Sequence, residues 1–290
     1  MSANSIYKTP EAKRILLDLY EKKLASLHLP CERHYINTFA GKTHVLVAGK
    51  PDGPPVVVLH GINAGAPLTL EAIKGLADTF RLYALDTVGQ ATPSDETRLP
   101  LHDDSFARWV GEVMDHFKLD KARFIGVSYG SFLLQNVMKY APARIERAVM
   151  VVPSGLVNGN FWPSMQKLSF PLIRFLLTQK EDHLEKFLDA FYDTKDTHAR
   201  TMQRHTLLGM KMDYRRPPLL QAADVAGLNA PVYAMVADSD VFFPGRQALE
   251  KCRKIFKNFK GEHVLSNTKH MPEKHTYAEI EATIKRWLTE

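Results

Sequence analysis

The residues best suited to chemistry are Gly126-Val127-Ser128-Tyr129-Gly130. A serine hydroxyl is a poor nucleophile at neutral pH, so its surroundings decide whether it reacts. Here a short β-type run (Phe124, Ile125, Val127) leads into Ser128, and Phe132 to Tyr140 reads as a helix after it. Strand, Gly-x-Ser-x-Gly and helix together form the pattern of a nucleophile elbow. Side chains at Gly126 or Gly130 would crowd a turn tight enough to hold the serine in a strained conformation. The hydroxyl is then lifted above the sheet edge. The Tyr129 N–H, at a helix N-terminus, aims where an oxyanion would form.

Such a serine needs a base, and the base needs a third group to fix its tautomer and stabilise its cation. On this supersecondary pattern the partners follow in the order serine, acid, histidine, each after a later strand. Asp238 and Asp240 follow the strand-like run Pro231–Ala237, and His270 follows His263-Val264-Leu265. All are just past predicted strand ends, where open α/β sheets bind their ligands. Asp240 lies further out, before the helix that Pro244 opens, and is the favoured acid; Asp238 is the alternative. The preceding strand ends Val152-Pro153-Ser154-Gly155, without a carboxylate. His263 at a strand start and His275 inside the final helix point wrongly for a base. The loop His60-Gly61-Ile62 is the expected source of a second oxyanion donor, the Ile62 N–H, with Gly61 allowing close approach and His60 structural.

These residues need elements to hold them. Pro10 to Leu27 has helical spacing, with Leu16, Tyr20, Leu24 and Leu27 on one side. Glu32–Ala40 and Lys42–Gly49 read as a hairpin joined at Gly41. Val56–Leu59, Arg81–Asp86, Phe124–Val127 and Ala148–Val152 are short apolar strands, separated by helices predicted over 68–78, 106–117 and 132–140. That alternation predicts an α/β fold with a mostly parallel central sheet flanked by helices. It stops between 154 and 228, where Phe161–Thr178 (kinked at Pro171), Leu184–Tyr192 and Thr201–Met210 look helical. The expected organisation is an N-terminal helix over 1–29, a core formed by 30–153 and 229–290, and a helical cap over 154–228 inserted in that core. Phe161, Trp162, Met165 and Met210 are candidates for a substrate pocket under the cap.

Composition narrows the function classes. A chain of 290 residues with 45% hydrophobic and 24% charged residues is globular in character. No apolar run approaches the ~20 residues of a membrane span, and the charged N-terminus lacks the apolar segment of a secretory signal. Two cysteines, Cys31 and Cys252, fit neither a metal nor a redox spacing. A cytoplasmic protein with free thiols is expected. The net charge of +6 is mild, and the basic run 251–260 carries apolar residues at helical spacing. It reads as a solvated helix face, so nucleic acid is not an expected partner, and the lack of a spanning run leaves no membrane expected either. No His-Glu-x-x-His occurs, and neither a metal nor a cofactor is called for. Monomer and homodimer both stay open.

With these residues in hand, the chain resembles α/β-hydrolase fold proteins from about Thr38 to its C-terminus. The motifs that carry the resemblance are His60-Gly61, Asp86-x-x-Gly89, Gly126–Gly130, Asp240 with Pro244, and His270-x-Pro272. Within that family it is similar to bacterial carboxylesterases of the Bacillus naproxen-esterase type, through its charged N-terminal helix, the Lys42-Thr43-His44-Val45 strand and its length. The resemblance implies a serine hydrolase acting on a small-molecule ester through Ser128, Asp240 and His270, without a cofactor. Haloalkane dehalogenases and epoxide hydrolases of the same fold use aspartate where Ser128 stands, and the His-Gly-Gly-Pro signature of proline iminopeptidases is missing. Two departures stand out. The loop Thr87-Val88-Gly89-Gln90-Ala91-Thr92 lacks the family's usual second glycine, and Ser131 replaces a common third glycine after the elbow.

Overall fold

The structure is a computed structural model that describes residues 5–193 and 196–290, with Phe161 and Pro163 described by backbone alone. It opens with helix α1 (Pro10–Ser26), started by Thr9, whose side chain accepts from the Ala12 N–H. Strands β1 (Cys31–Thr38) and β2 (Gly41–Gly49) form the expected hairpin, and Gly41 takes a φ of +105° at its turn. Strands β3 (Pro55–Leu59), β4 (Arg81–Leu85), β5 (Ala122–Val127), β6 (Ile145–Val151), β7 (Val232–Ala237) and β8 (Phe259–Leu265) complete one eight-stranded sheet. Its order is β1-β2-β4-β3-β5-β6-β7-β8. The β1–β2 and β2–β4 pairs are antiparallel, and every later pair is parallel.

The central parallel strands are largely apolar because both faces are covered, whereas the edge strand β8 alternates and exposes Lys260, Glu262 and Val264. Val57, Leu59 and Phe124 point into one layer with helix α3 (Ser105–His116) and helix α4 (Tyr129–Tyr140). Val56, Val58 and Ile125 point into the other, against Leu70, Ile284 and Trp287. The latter two belong to the last helix, which ends at Thr289.

The helix expected over 68–78 is two pieces. Helix α2 (Gly65–Glu71) ends early, and Lys74–Asp78 winds as a 3-10 turn. The break brings Gly75 against the last helix, where its N–H donates to Glu281 at 2.7 Å. Between β6 and β7 lie α5 (Phe161–Ser164), a π-helical stretch over Met165–Ser169, α6 (Phe170–Thr178), α7 (Glu181–Leu188) and α8 (Thr197–Gly209). The widened π turn falls just before Pro171, which cannot donate a backbone hydrogen bond. Leu168, Phe175, Leu184 and Leu188 give these helices an apolar cluster of their own. Helix α9 (Gly245–Ile255) follows β7, and α10 (Tyr277–Thr289) follows β8.

Two histidine placements differ from expectation. His263 lies inside β8, because pairing of Phe259 with Val232 starts that strand four residues earlier. His275 sits in a 3-10 turn (Lys274–Thr276) ahead of α10, not inside it. Among the described residues no helix is long and apolar enough to cross a membrane.

Candidate active site

Ser128 is the turn between β5 and α4, with φ +51° and ψ −113°. A β-carbon rarely adopts this region, so the residue is held there by its surroundings. Its N–H donates to the Val151 carbonyl at 2.8 Å, and its own carbonyl accepts from the Ser131 N–H at 2.9 Å. Neither elbow glycine needs positive φ; each is required by space. A Cβ at Gly126 would lie 2.6 Å from the Gly130 carbonyl oxygen, and one at Gly130 would run into the Leu59 carbonyl. Ser131 is fully buried and donates to the Gly126 carbonyl at 2.6 Å. The hydroxyl that departs from the family pattern thus ties the strand end to the first turn of the helix.

The loops after β7 and β8 bring Asp240 and His270 to this turn. His270 Nε2 lies 2.9 Å from Ser128 Oγ, and its Nδ1 lies 2.7 Å from Asp240 Oδ2. His270 and Asp240 are buried, and Ser128 is half-buried. The other Asp240 oxygen accepts from the Phe242 and Phe243 N–H groups at 2.8 and 3.1 Å, which fixes the carboxylate plane. Those two phenylalanine rings also pack edge-on against the His270 ring, at 5.1 and 5.5 Å between centroids. Their part could not be read from apolar spacing alone, because Phe242 and Phe243 follow a strand end and look like ordinary loop anchors.

Asp238 is not brought to the histidine. It is exposed, accepts from the Asn267 and Thr268 N–H groups at 2.9 and 3.2 Å, and so joins the β7 loop to the β8 loop. Its slight burial opposes ionisation, but these bonds and one from the Ser239 hydroxyl hold its carboxyl below the usual range.

On the other side of Ser128, Gly61 comes close. A Cβ there would sit 3.6 Å from Ser128 Cβ, in the space above the serine; the protein itself leaves room for it. Among the described residues the Ile62 and Tyr129 N–H groups have no protein acceptor. The loop that carries Ile62 is pinned on several sides. Gln90 Oε1 accepts from the Asn63 N–H at 2.6 Å, and Asp86 Oδ1 accepts from the Ala66 N–H at 2.8 Å. His60 bonds the Gly61 carbonyl through Nδ1 at 2.7 Å and accepts from the Thr87 N–H through Nε2 at 2.9 Å. Complete burial pushes the His60 imidazole down from its ordinary value, against the pull of Asp86 and of the Gly61 carbonyl. The ring is therefore neutral, with one nitrogen donating and one accepting.

Asp86 also takes the Tyr20 hydroxyl at 2.5 Å and His44 Nδ1 at 2.7 Å, both buried. Burial first, and the Asp86 charge second, hold the Tyr20 phenol well above its ordinary value. The Lys42–Val45 strand and the N-terminal helix thus support the loop bearing Ile62. Both elements were legible from helical spacing and the hairpin pattern, but their contact with Asp86 was not.

A cavity of about 30 Å³ lies between Ile62, Tyr129, Phe106, Met210 and Met212. Burial, with the nearby Asp213 charge adding, keeps the Tyr129 phenol far above its ordinary range, so it is neutral. Met210 lines this cavity, while Trp162 and Met165 do not. Trp162 is 71% exposed because α5 presents it outward, and Met165 is half-buried in the π-helical stretch. The Phe161 side chain lies outside the described residues.

A serine–imidazole–carboxylate relay beside two unpartnered backbone N–H groups can perform nucleophilic attack with general-base assistance. The family model of the alpha/beta hydrolase fold matches residues 54–207. The chain belongs to this family. Among alpha/beta hydrolases, carboxylesterase YbfK of Bacillus subtilis is 24% identical over 87% of this chain and 86% of its own length. Haloalkane dehalogenase 2 of Mycobacterium tuberculosis is 27% identical over 56% of each chain. The crystal structure of naproxen esterase (carboxylesterase NP) from Bacillus subtilis superposes with a TM-score of 0.80 at 20% identity, covering 99% of this chain and 98% of that one. The fold is thereby shared over nearly the whole length of both chains.

Proposed function

We propose that the protein is a serine hydrolase that cleaves carboxylic esters through an acyl-enzyme intermediate. The observation that carries this reading is the pair of contacts made by His270, 2.9 Å to Ser128 Oγ and 2.7 Å to Asp240 Oδ2. With Nδ1 protonated toward Asp240, Nε2 accepts the serine proton as Oγ attacks the acyl carbon. The oxyanion of the tetrahedral intermediate is held by the Ile62 and Tyr129 N–H groups. His270 then gives its proton to the leaving alkoxide, and the alcohol departs. In the second half-reaction it takes a proton from water, which attacks the acyl-enzyme, and returns it to Ser128 Oγ as the acid is released. Asp240 stays ionised and orients the ring throughout. No step calls for a metal or an organic cofactor.

Resemblance to carboxylesterases over most of the chain supports the ester as substrate class. The dehalogenase reading is disfavoured, because the resemblance places an aspartate nucleophile in those enzymes where this chain has Ser128. The cavity beside the oxyanion loop is small, with Arg98, Asp213 and Arg215 lining it beside Ile62, Phe106 and Met210, and its size suits a short acyl group. A chain-length series of p-nitrophenyl esters tests the substrate class, with turnover expected to peak at short acyl chains. Ser128→Ala should lose about 10⁶-fold in kcat if the three residues act as a unit. A loss under about tenfold would sink the assignment of the nucleophile. Fluorophosphonate labelling, read by mass spectrometry, should fall on Ser128 and vanish in that variant.

A further inference from the structure

The helix run from α5 to α6 is apolar on two opposite sides. Its inner side, Leu168 and Phe175 with Leu172 beside them, closes the cluster shared with α7 and α8. Its outer side leaves Phe170 54%, Ile173 52% and Leu177 80% exposed, with Leu176 between them. Positions 170, 173 and 177 recur at helical spacing, so these side chains form one stripe. Packing of the cap does not use it. A contiguous exposed stripe of this kind marks an interaction surface.

Charge decides what covers the stripe. From 161 to 180 the sequence contains Lys167, Arg174 and Lys180 and neither Asp nor Glu. All three cations are exposed. In the next helix Glu181 pairs with Arg204 at 3.1 Å, and Arg200 holds Glu185 and, just past the helix end, Asp189; Asp182 is exposed. A second copy docked face to face would bring the cations of 161–180 against one another, with no acid in that stretch to pair with them. An anionic lipid surface offers both what the leucines and what the cations need.

We infer that the outer face of α5–α6 docks the protein on anionic lipid surfaces, with the helix lying in the plane of the interface. This is peripheral attachment. The sequence expectation of no membrane partner rested on the lack of a spanning segment, which is a separate matter. The π-helical stretch and Pro171 sit in the middle of the docking helix, where its hydrogen-bond ladder is already interrupted.

The test is flotation of the full chain with vesicles of equimolar phosphatidylcholine and phosphatidylglycerol, beside vesicles of phosphatidylcholine alone. Binding to the anionic vesicles is expected, with release in high salt. Trp109 and Trp287 are buried, so a blue shift of tryptophan emission on binding would report Trp162 entering the interface. Ile173→Glu with Leu177→Glu should abolish binding. Arg174→Glu with Lys180→Glu should weaken it by at least tenfold, since each cation near such a surface is worth about fivefold. Both double variants should hydrolyse a soluble p-nitrophenyl ester like the parent protein, which shows that they fold. The inference is overturned if the parent protein ignores anionic vesicles, if it binds neutral ones equally well, or if the glutamate variants still bind. A dimer that the Ile173→Glu, Leu177→Glu variant dissolves, without vesicle binding by the parent, would assign the face to a second copy instead.

Discussion

At the scale of single residues, two aspartates separated by one serine have different tasks. Asp240 is buried, held by two backbone N–H groups, and faces His270; Asp238 is exposed and staples two loops. Asp240→Asn should cost about 10⁴-fold in kcat, because the amide no longer holds the imidazole in the tautomer that accepts a proton. Asp238→Asn removes only charge from an exposed staple and should cost less than tenfold. Steady-state kinetics on one soluble ester checks the ranking, and the reverse order would mean that Asp238 is the acid. The sequence order serine, acid, histidine made Asp240 and His270 legible. The phenylalanines that pack on His270 were not, since nothing in their spacing distinguishes a ring on that imidazole from a ring in a loop core.

At the scale of elements, the helices between β6 and β7 are tied to the sheet by charge as well as by apolar contact. Asp196 caps α8 by accepting from the Ala199 N–H at 3.0 Å, and it pairs with Lys274 at 2.7 Å. Lys274 also pairs with Glu71 at the end of α2, and Glu71 pairs with Lys23 of α1 at 2.6 Å. Burial alone would raise the Asp196 carboxyl, but the Lys274 and Ala199 bonds prevail and bring it down to about 2. A carboxyl lowered on folding stabilises above its unfolded value, near 3.8, and that contribution is lost as pH falls toward about 2. Asp196→Ala should therefore destabilise by about 1 kcal/mol at neutral pH through the lost cap. Its stability should also fall less steeply than that of the parent protein between those two pH values. Urea denaturation across the acid range measures both. A variant as stable as the parent at neutral pH would show that the cap contributes nothing.

At the scale of the whole molecule, α1 packs both beneath the sheet, through Leu27 at its C-terminal end, and against α8, through Leu16. Leu16, Tyr20 and Leu27 are buried, and the Tyr20 hydroxyl reaches the same Asp86 that holds the loop bearing Ile62. Tyr20→Phe leaves a buried carboxylate one donor short and should cost about 1.5–3 kcal/mol of stability. Part of that loss should appear at the site. The proposed oxyanion loop would loosen, so kcat should fall more than KM changes. Chemical denaturation and ester kinetics on the same variant separate the two effects. Unchanged kinetics in a destabilised protein would show that α1 supports the fold but not the loop.

Local pattern was sufficient for much of this protein. Apolar runs buried on both faces, a hairpin glycine at 41 and a Gly-x-Ser-x-Gly between strand and helix are signals carried by neighbouring residues, and neighbours share one local geometry. The strand and helix order, the family and the order of the three candidate residues follow from them. What only the folded chain decided are relations between residues far apart in sequence. Gly126 and Gly130 are glycine because other backbone atoms occupy the space. Asp240, not Asp238, faces the histidine because two phenylalanine N–H groups aim its carboxylate. Trp162 points to solvent because the inner side of its helix run already carries Leu168 and Phe175. Such choices depend on which surfaces meet after folding, and no window of sequence contains both sides of that contact.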